Sequence, residues 1–380
     1  MSEFTSMSRL VSSTVLHRHG SRGPGASELS PFPPENPIFS QWQEHELEML
    51  SLSGHSQIEV LGAWFARRYV TSGVVETSKE KTHWRSSKSD RALESGYDFI
   101  KGFNNAIGSQ VAGPEPLPYD VDADNYFRPW KVFKKEANDI KNRVDTDDNW
   151  TVKAAENESF LREIFQQVNS LESVINKPTK SLWCTTYLHA LREVENFWPN
   201  EVSHRVAFCQ ALSTETQARV TELALWVWEQ RFLHCGFNSE MGGRMSVDLV
   251  ESALNTEHTL NIFSGHDYTL LSVLAALNLV EKFSHPTGFG SYLLFEVWET
   301  DGQLSFKVIF NPDPFRCDDG HSVDMTAINE NNEVVLKECP VSDMVAIVEK
   351  LRDEISRFPP PKPVKILNSL PSEIKVDLLS

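Results

Sequence analysis

Three stretches of the chain share one pattern: a short apolar run ends abruptly in polar, ionisable residues and is followed by apolar positions at helical spacing. The first run is Leu10–Leu16 (LVSSTVL), which leads into His17-Arg18-His19-Gly20 before Gly20 and Pro24 interrupt regular structure. Beyond an irregular passage through Pro31-Phe32-Pro33-Pro34, Ile58, Leu61, Phe65 and Tyr69 predict a helix from Ser56 to near Val70. In the second run, Lys81–Ser87 reads as a strand, and Asp90 is placed to cap a helix carrying Leu93, Tyr97 and Ile100 on one face. The third run, Thr259–Ser264, reaches Gly265-His266-Asp267 and is followed by helical sequence from Leu270 to Leu279.

Two further runs, Tyr292–Glu299 and Leu304–Phe310, flank Asp301-Gly302, a strong hairpin signal, and are expected to form the end of the sheet. Between Gly102 and Asn255 the period becomes helical: Phe160, Ile164, Val168 and Leu171 mark one amphipathic helix, and Val220, Leu223, Val227 and Phe232 another. The expected architecture is a three-layer α/β core with a central, mostly parallel sheet and an inserted helical cap. Its core comprises residues 8–101 and 256–351, its cap residues 102–255. Residues 352–380, with Phe358-Pro359-Pro360-Pro361-Lys362-Pro363, are expected to form an extended packing arm because proline at that density does not continue a helix. No internal repeat is present. In open α/β sheets ligands gather at the carboxyl ends of strands, and all three strand-to-helix junctions deliver ionisable residues to that edge.

Composition narrows the function classes. The 380 residues are 40% hydrophobic and 23% charged, which is globular, and no stretch approaches the roughly 20 apolar residues of a membrane span. The net charge of −17 disfavours nucleic acid and anionic membrane as partners, so any anion site must be locally basic. The five cysteines, Cys184, Cys209, Cys235, Cys317 and Cys339, are odd in number and contain no Cys-x-x-Cys, so neither a disulfide framework nor a zinc knuckle is encoded. Met1–Leu10 lacks a basic segment followed by an apolar run, which leads to the expectation of a cytoplasmic protein, or a secreted or organellar one if the native start was trimmed. Oligomeric state is not encoded.

The basic cluster is Arg18-His19-Gly20-Ser21-Arg22-Gly23-Pro24. Two guanidiniums so close repel each other unless a dianion binds between them, and each offers a planar fork of donors that matches phosphate oxygens. A neutral imidazole adds a nitrogen lone pair, glycine lets backbone approach the ligand, and proline stiffens the turn. His17 reads as a packing residue. Asp267 taken alone reads as the cap of the following helix, and its pairing with a separate arginine-histidine loop at another strand end turns the reading to a proton donor.

This cluster resembles the Arg-His-Gly-x-Arg-x-Pro signature of the histidine acid phosphatases, the second branch of the histidine phosphatase superfamily. The resemblance continues in Leu52-Ser53-Gly54 through Gln57, Leu61, Gly62 and Arg68-Tyr69, in Arg85-Ser86-Ser87 through Arg91 and Ser95, and at Gly242-Gly243, His266-Asp267 and Tyr292–Asn311. It implies an α/β core with a helical cap, His19 as nucleophile, Arg18, Arg22 and Arg91 as phosphate ligands, His266 as a further phosphate donor and Asp267 as proton donor, with neither metal nor cofactor. Arg85 is the second choice for the role given to Arg91. Tyr268 stands where the family commonly has threonine.

The reaction so implied is hydrolysis of a small-molecule phosphomonoester through a phosphohistidine, faster in acid because an ordinary aspartate, with a pKa of about 3.9, must be protonated to serve the leaving group. Three alternatives remain: a phosphomutase using the same intermediate, a phytase or other inositol polyphosphate phosphatase, and a phosphoryl-ligand binding module without turnover. Lys81, Arg85, Lys88 and Arg91 are cations available to a multiply phosphorylated substrate.

Overall fold

The computed structural model describes residues 8–357 apart from 43, 76–77, 79, 111–112, 114–115, 117–123, 198–211, 256 and 319–321. Its centre is one mixed sheet of six strands: β1 (Ser8–Arg18), β2 (Thr82–Ser86), β3 (Leu260–Gly265), β4 (Tyr292–Thr300), β5 (Gln303–Asn311) and β6 (Val334–Pro340), in the order β2-β3-β1-β4-β5-β6. The three strands that the apolar runs predict, β2, β3 and β1, lie side by side and parallel, while β4, β5 and β6 add antiparallel on the other side of β1. The β4–β5 turn has positive φ at both Asp301 (51°) and Gly302 (80°), the combination a type I′ hairpin needs. The hairpin does not end the sheet as expected, because β6 pairs outside it. That strand ends in proline and leaves Val334 and Val335 about half exposed, so it lacks the alternation that marks a half-buried strand.

The described residues also form fourteen α-helices: α1 (Ala26–Leu29), α2 (Leu52–Ala66), α3 (Asp90–Ile107), α4 (Asp124–Phe127), α5 (Pro129–Val132), α6 (Lys134–Thr146), α7 (Asp148–Glu156), α8 (Glu158–Gln167), α9 (Glu172–Ile175), α10 (Pro178–Asn196), α11 (Thr214–Trp228), α12 (Asn238–Leu254), α13 (Asp267–Ala276) and α14 (Val341–Ser356). Caps set several starts. Helix α2 begins four residues before Ser56 because the Ser51 hydroxyl accepts the Gly54 N–H at 3.1 Å. The cap of α3 is Ser89, so Asp90 sits in the first turn instead. His266 occupies the cap position of α13, which places Asp267 as its first residue, and the helix stops at Ala276 ahead of Asn278, whose φ is 50°.

Period-two alternation splits the strand side chains between two cores. Val15, Ile262 and Leu294 face Ile58, Leu61, Phe65, Phe99 and Phe103 of α2 and α3. Leu16, Phe263 and Leu293 face the layer built from α12, α13 and α14. Residues 238–254 share the helical period of the inserted region, yet their buried face, Met245, Leu249, Val250 and Ala253, packs in this sheet core. A separate core joins α7 to α11, with Trp150, Leu161, Phe165, Leu182, Leu188 and Leu223 at its centre, and Leu29, Phe32 and Ile38 of the irregular proline-rich passage are buried in it. The segment after the basic cluster thus ties the inserted helices to the sheet edge.

Helix α14 runs to Ser356, so Arg352 is helical, and the proline-rich stretch after it lies outside the described residues, as does Cys209. Cys184, Cys235, Cys317 and Cys339 are free thiols. No helix of the described residues is long and apolar enough to cross a membrane.

Helices α2 and α3 cross at backbone contact: a Cβ on Gly62 would lie 2.0 Å from the Phe99 carbonyl oxygen, and one on Gly102 would lie 1.9 Å from that of Glu59. Backbone cannot move aside as a flexible side chain can. Gly62→Ala is therefore expected to lower unfolding stability by about 2 kcal/mol or more in urea titrations. Gly73→Ala, whose Cβ would meet nothing within 4 Å, carries only the penalty of its φ of 75°, about 1 kcal/mol.

Candidate active site

The register of the parallel strands builds the site. Arg18 pairs with Gly265 and Ser86 with Ser264, so the three strands end level, and the ladder continues one residue further through His19 N–H to Gly265 O (3.0 Å) and Ser87 N–H to Ser264 O (2.9 Å). His19, Ser87 and His266 consequently emerge side by side. The loop after His19 is held from both neighbouring helices: Gly20 N–H donates to Ser95 Oγ (3.1 Å), Ser21 N–H to Gln57 Oε1 (2.8 Å), and Ser51 N–H to Ser21 O (2.9 Å). A Cβ on Gly20 would lie 2.3 Å from the Gly54 carbonyl oxygen, which is why only glycine fits there.

His19 is 2% exposed, and its Nδ1 lies 2.8 Å from the Gly20 carbonyl. A carbonyl only accepts, so Nδ1 carries the proton and Nε2 presents its lone pair. Arg91 Nε–H donates to that Nε2 at 3.2 Å. Burial, followed by the charges of Arg91 and Arg18, pushes the imidazole pKa well below its usual value, so the ring is neutral. His17 is buried and stacks on Phe99 with centroids 5.0 Å apart, as a packing residue, and burial pushes it down to about 4.

The three candidate phosphate arginines converge, each in different company. Arg18, 4% exposed, donates to the Thr287 carbonyl, lies 4.2 Å over the Phe289 ring and reaches Asp267 Oδ2 at 3.3 Å. Arg22 is gripped by Glu28, with Nη1 to Oε2 at 3.0 Å and Nη2 to Oε1 at 2.6 Å, and Glu28 also accepts the Gly25 N–H at 2.7 Å. Burial opposes the Arg22 charge, but Glu28 outweighs it and raises the pKa. Arg91, in the first turn of α3, donates Nη1 to Glu48 Oε2 at 3.2 Å. The Nε atoms of Arg18 and Arg22 are buried without a hydrogen-bond partner. Arg85, the second choice for the Arg91 role, lies elsewhere: its Nη1 is 3.1 Å from both carboxylate oxygens of Asp248. Alternation along β2 turns it away from Ser86.

His266 is fully buried, with Nε2 3.0 Å from Ser87 Oγ and 3.2 Å from Ser89 Oγ, and its ring lies edge-on to His19 at 5.4 Å. Tyr268 stacks on the ring of His266 at 4.8 Å. Asp267 keeps a side chain 35% exposed and accepts the Tyr268 N–H at 2.7 Å. Burial would raise its pKa, but Arg18, that N–H, Arg22 and Arg91 together hold it below the ordinary aspartate value. Its carboxylate is ionised near neutrality until something neutralises the arginines.

The sequence pattern does not single out Glu28, Glu48, Ser89 or Phe289. Only the capping position of Glu28, three residues after Gly25, carries a local signal. Two cap cations, Arg128 and Arg231, also escape it: Arg128 bears on Arg91 and on the Tyr268 hydroxyl, and Arg231 on Asp267. A cleft of about 900 Å³ is lined by Arg192, Glu193, Asp313 and Arg316 and by none of the residues around His19. The chemistry therefore marks the His19 pocket, and volume alone does not. No cluster of three or more metal-binding side chains occurs among the described residues.

With this geometry in view, the chain can be set beside known proteins. No curated protein sequence matches it. Solved structures that share the fold include the phytase of Klebsiella sp. ASR1 (TM-score 0.69, 14% identity, covering 90% of this chain and 94% of that one) and that of Citrobacter braakii (0.66, 16%, 90% and 98%). The Bifidobacterium longum multiple inositol polyphosphate phosphatase in complex with phosphate also aligns (0.52, 13%, 82% and 88%). At such identities the likeness carries the fold alone. The family model of the histidine phosphatase superfamily (branch 2) matches residues 9–231, more than half of the 380. The chain belongs to the histidine phosphatase superfamily, in its second branch.

Proposed function

We propose that this phosphatase is a phosphomonoester hydrolase that works through a phosphohistidine on His19. The observation that carries the reading is the fixed tautomer of His19, whose Nε2 lone pair faces a pocket bounded by Arg18, Arg22, Arg91 and Asp267. In the first step an Nε2–P bond forms as the ester P–O bond breaks, the proton of Asp267 passes to the leaving oxygen, and Arg91 shifts its Nε–H from Nε2 to a phosphoryl oxygen. In the second step the Asp267 carboxylate takes a proton from water, the new P–O bond forms, Nε2–P breaks and inorganic phosphate leaves. The guanidiniums and His266 act on the equatorial oxygens, where transition-state charge is spread. Asp267 beside the nucleophile favours water over a second alcohol as acceptor. The fold shared with phytases supports an inositol polyphosphate as a second substrate reading.

His19→Ala is expected to lower phosphatase turnover by at least about 10⁴-fold and to abolish acid-labile phosphoenzyme labelling, and survival of either removes the mechanism. Since a bound phosphate dianion offsets the arginines that depress Asp267, its pKa rises in the complex, and the alkaline limb of kcat should lie at higher pH than that of kcat/KM. Asp267→Asn should erase that limb and slow alkyl phosphates by about 10²-fold, with a smaller effect on p-nitrophenyl phosphate, whose leaving group needs no proton. Glu28→Gln strips a buried guanidinium of its counter-charge and should cost about 3 kcal/mol of stability in phosphate-free denaturant titrations, partly recovered when inorganic phosphate is added.

A further inference from the structure

Glu48 has a backbone conformation that its residue type does not favour. Its φ is 61°, whereas the other non-glycine residues with positive φ among the described ones are Asn169, Asn278 and Asp301, whose short polar side chains tolerate that region. The contacts that hold it there come from the loop after His19. Glu48 N–H donates to the Pro24 carbonyl (3.2 Å), Gly23 N–H to that of Met49 (3.0 Å) and Ser51 N–H to that of Ser21 (2.9 Å), and Leu50 pairs antiparallel with Arg22. Residues 48–51 therefore form a short ribbon with residues 21–24. Backbone strain that its surroundings over-determine in this way is characteristic of positions that meet a ligand.

The side chain also differs from the fixed counter-charge beside it. Glu28 is 11% exposed, grips Arg22 with both oxygens and takes the Gly25 N–H as well. The Glu48 side chain is 49% exposed, and its Oε2 accepts Arg91 Nη1 at 3.2 Å. Its Oε1 lies against Gly25, where a Cβ would come within 3.1 Å of it. Arg91 is itself only 11% exposed and donates Nε–H to His19 Nε2 at 3.2 Å. One guanidinium thus bridges His19 and a carboxylate open to solvent, and Arg22 feels that carboxylate too.

A carboxylate one guanidinium away from His19 acts on whatever a bound ester carries beside its phosphate. It accepts a hydrogen bond from a hydroxyl, and it repels a second anion, because a like charge a few ångströms away at a protein surface is only partly screened. We propose that Glu48 is a specificity-determining residue that selects phosphomonoesters whose alcohol carries a neutral, hydroxyl-bearing group next to the ester and disfavours those with a second anion there. This rests on the phosphatase reading above for the reaction at His19 and names the substrate class of that same site.

The test uses two pairs of compounds in which one hydroxymethyl group becomes a carboxylate: glycerol 3-phosphate with 3-phosphoglycerate, and glycerol 2-phosphate with 2-phosphoglycerate. For each pair the ratio of kcat/KM, carboxylate over hydroxymethyl, is measured in the wild type, Glu48→Gln and Glu48→Asp. Glu48→Gln removes the charge and keeps the shape, and should raise the ratio by about fivefold or more in at least one pair, the effect of one partly screened charge. Glu48→Asp keeps the charge and should leave the ratio within about twofold of the wild type. An unchanged ratio in Glu48→Gln overturns the proposal. So does an equal rise in both variants, which assigns the effect to a displaced Arg91 and not to charge. If Glu48→Gln does not fold, Glu48→Asn, whose residue type tolerates positive φ, takes its place. Hydrolysis of p-nitrophenyl phosphate reports on the phosphatase reading separately, and its absence from the wild type sinks that reading alone. Where the four compounds bind without turnover, the same ratio taken from calorimetric Kd values decides the role of Glu48, and if none of them binds the proposal fails.

Discussion

A neutral imidazole must sit among guanidiniums inside a chain that is acidic overall, and the arrangement of this protein's sheet edge follows from that constraint. Desolvation and like charge both act against the arginines, so each needs a fixed partner if it is to stand ready for phosphate. Glu28 holds Arg22 by two oxygens, Asp267 faces Arg18, and Glu48 faces Arg91. Burial, together with the same positive field, keeps His19 unprotonated, while the Gly20 carbonyl selects the tautomer whose Nε2 lone pair accepts from Arg91. In the proposed mechanism one set of charges therefore both activates the nucleophile and awaits its substrate.

The field also acts on Asp267. Arg18, Arg22 and Arg91 stabilise its carboxylate, which is the wrong protonation state for a proton donor. In the proposed mechanism a phosphate ester entering between the arginines lifts that stabilisation at the moment when the leaving oxygen needs a proton. The proposed mechanism thereby couples substrate charge to acid strength through Arg18, which lies 3.3 Å from Asp267.

The inserted helices add a further layer to this field. Their own core is tied to the catalytic loop through Leu29, Phe32 and Ile38, and the Thr269–Phe127 hydrogen bond fastens their first turns to the His-Asp junction. Arg128, which follows Phe127, and through Trp130 also Arg231 are thereby held against that junction.

The local features were legible in the amino-acid order. Three apolar runs ending in ionisable residues encode strands that feed a common edge, Asp301-Gly302 encodes the type I′ turn, and the seven residues from Arg18 to Pro24 mark a basic loop, because each depends on neighbours within a few positions. The rest was settled by contacts across long sequence distances. Strand register made Arg18 level with Gly265 and Ser86 level with Ser264. The same helical period placed α11 in the cap core and α12 against the sheet, and β6 joined the edge without an alternating pattern. Arg85 and Arg91 are indistinguishable as charges in the sequence; strand alternation turned the first to Asp248, and the first turn of α3 aimed the second at His19. Periodicity states which residues share a face, whereas only tertiary packing determines what that face meets.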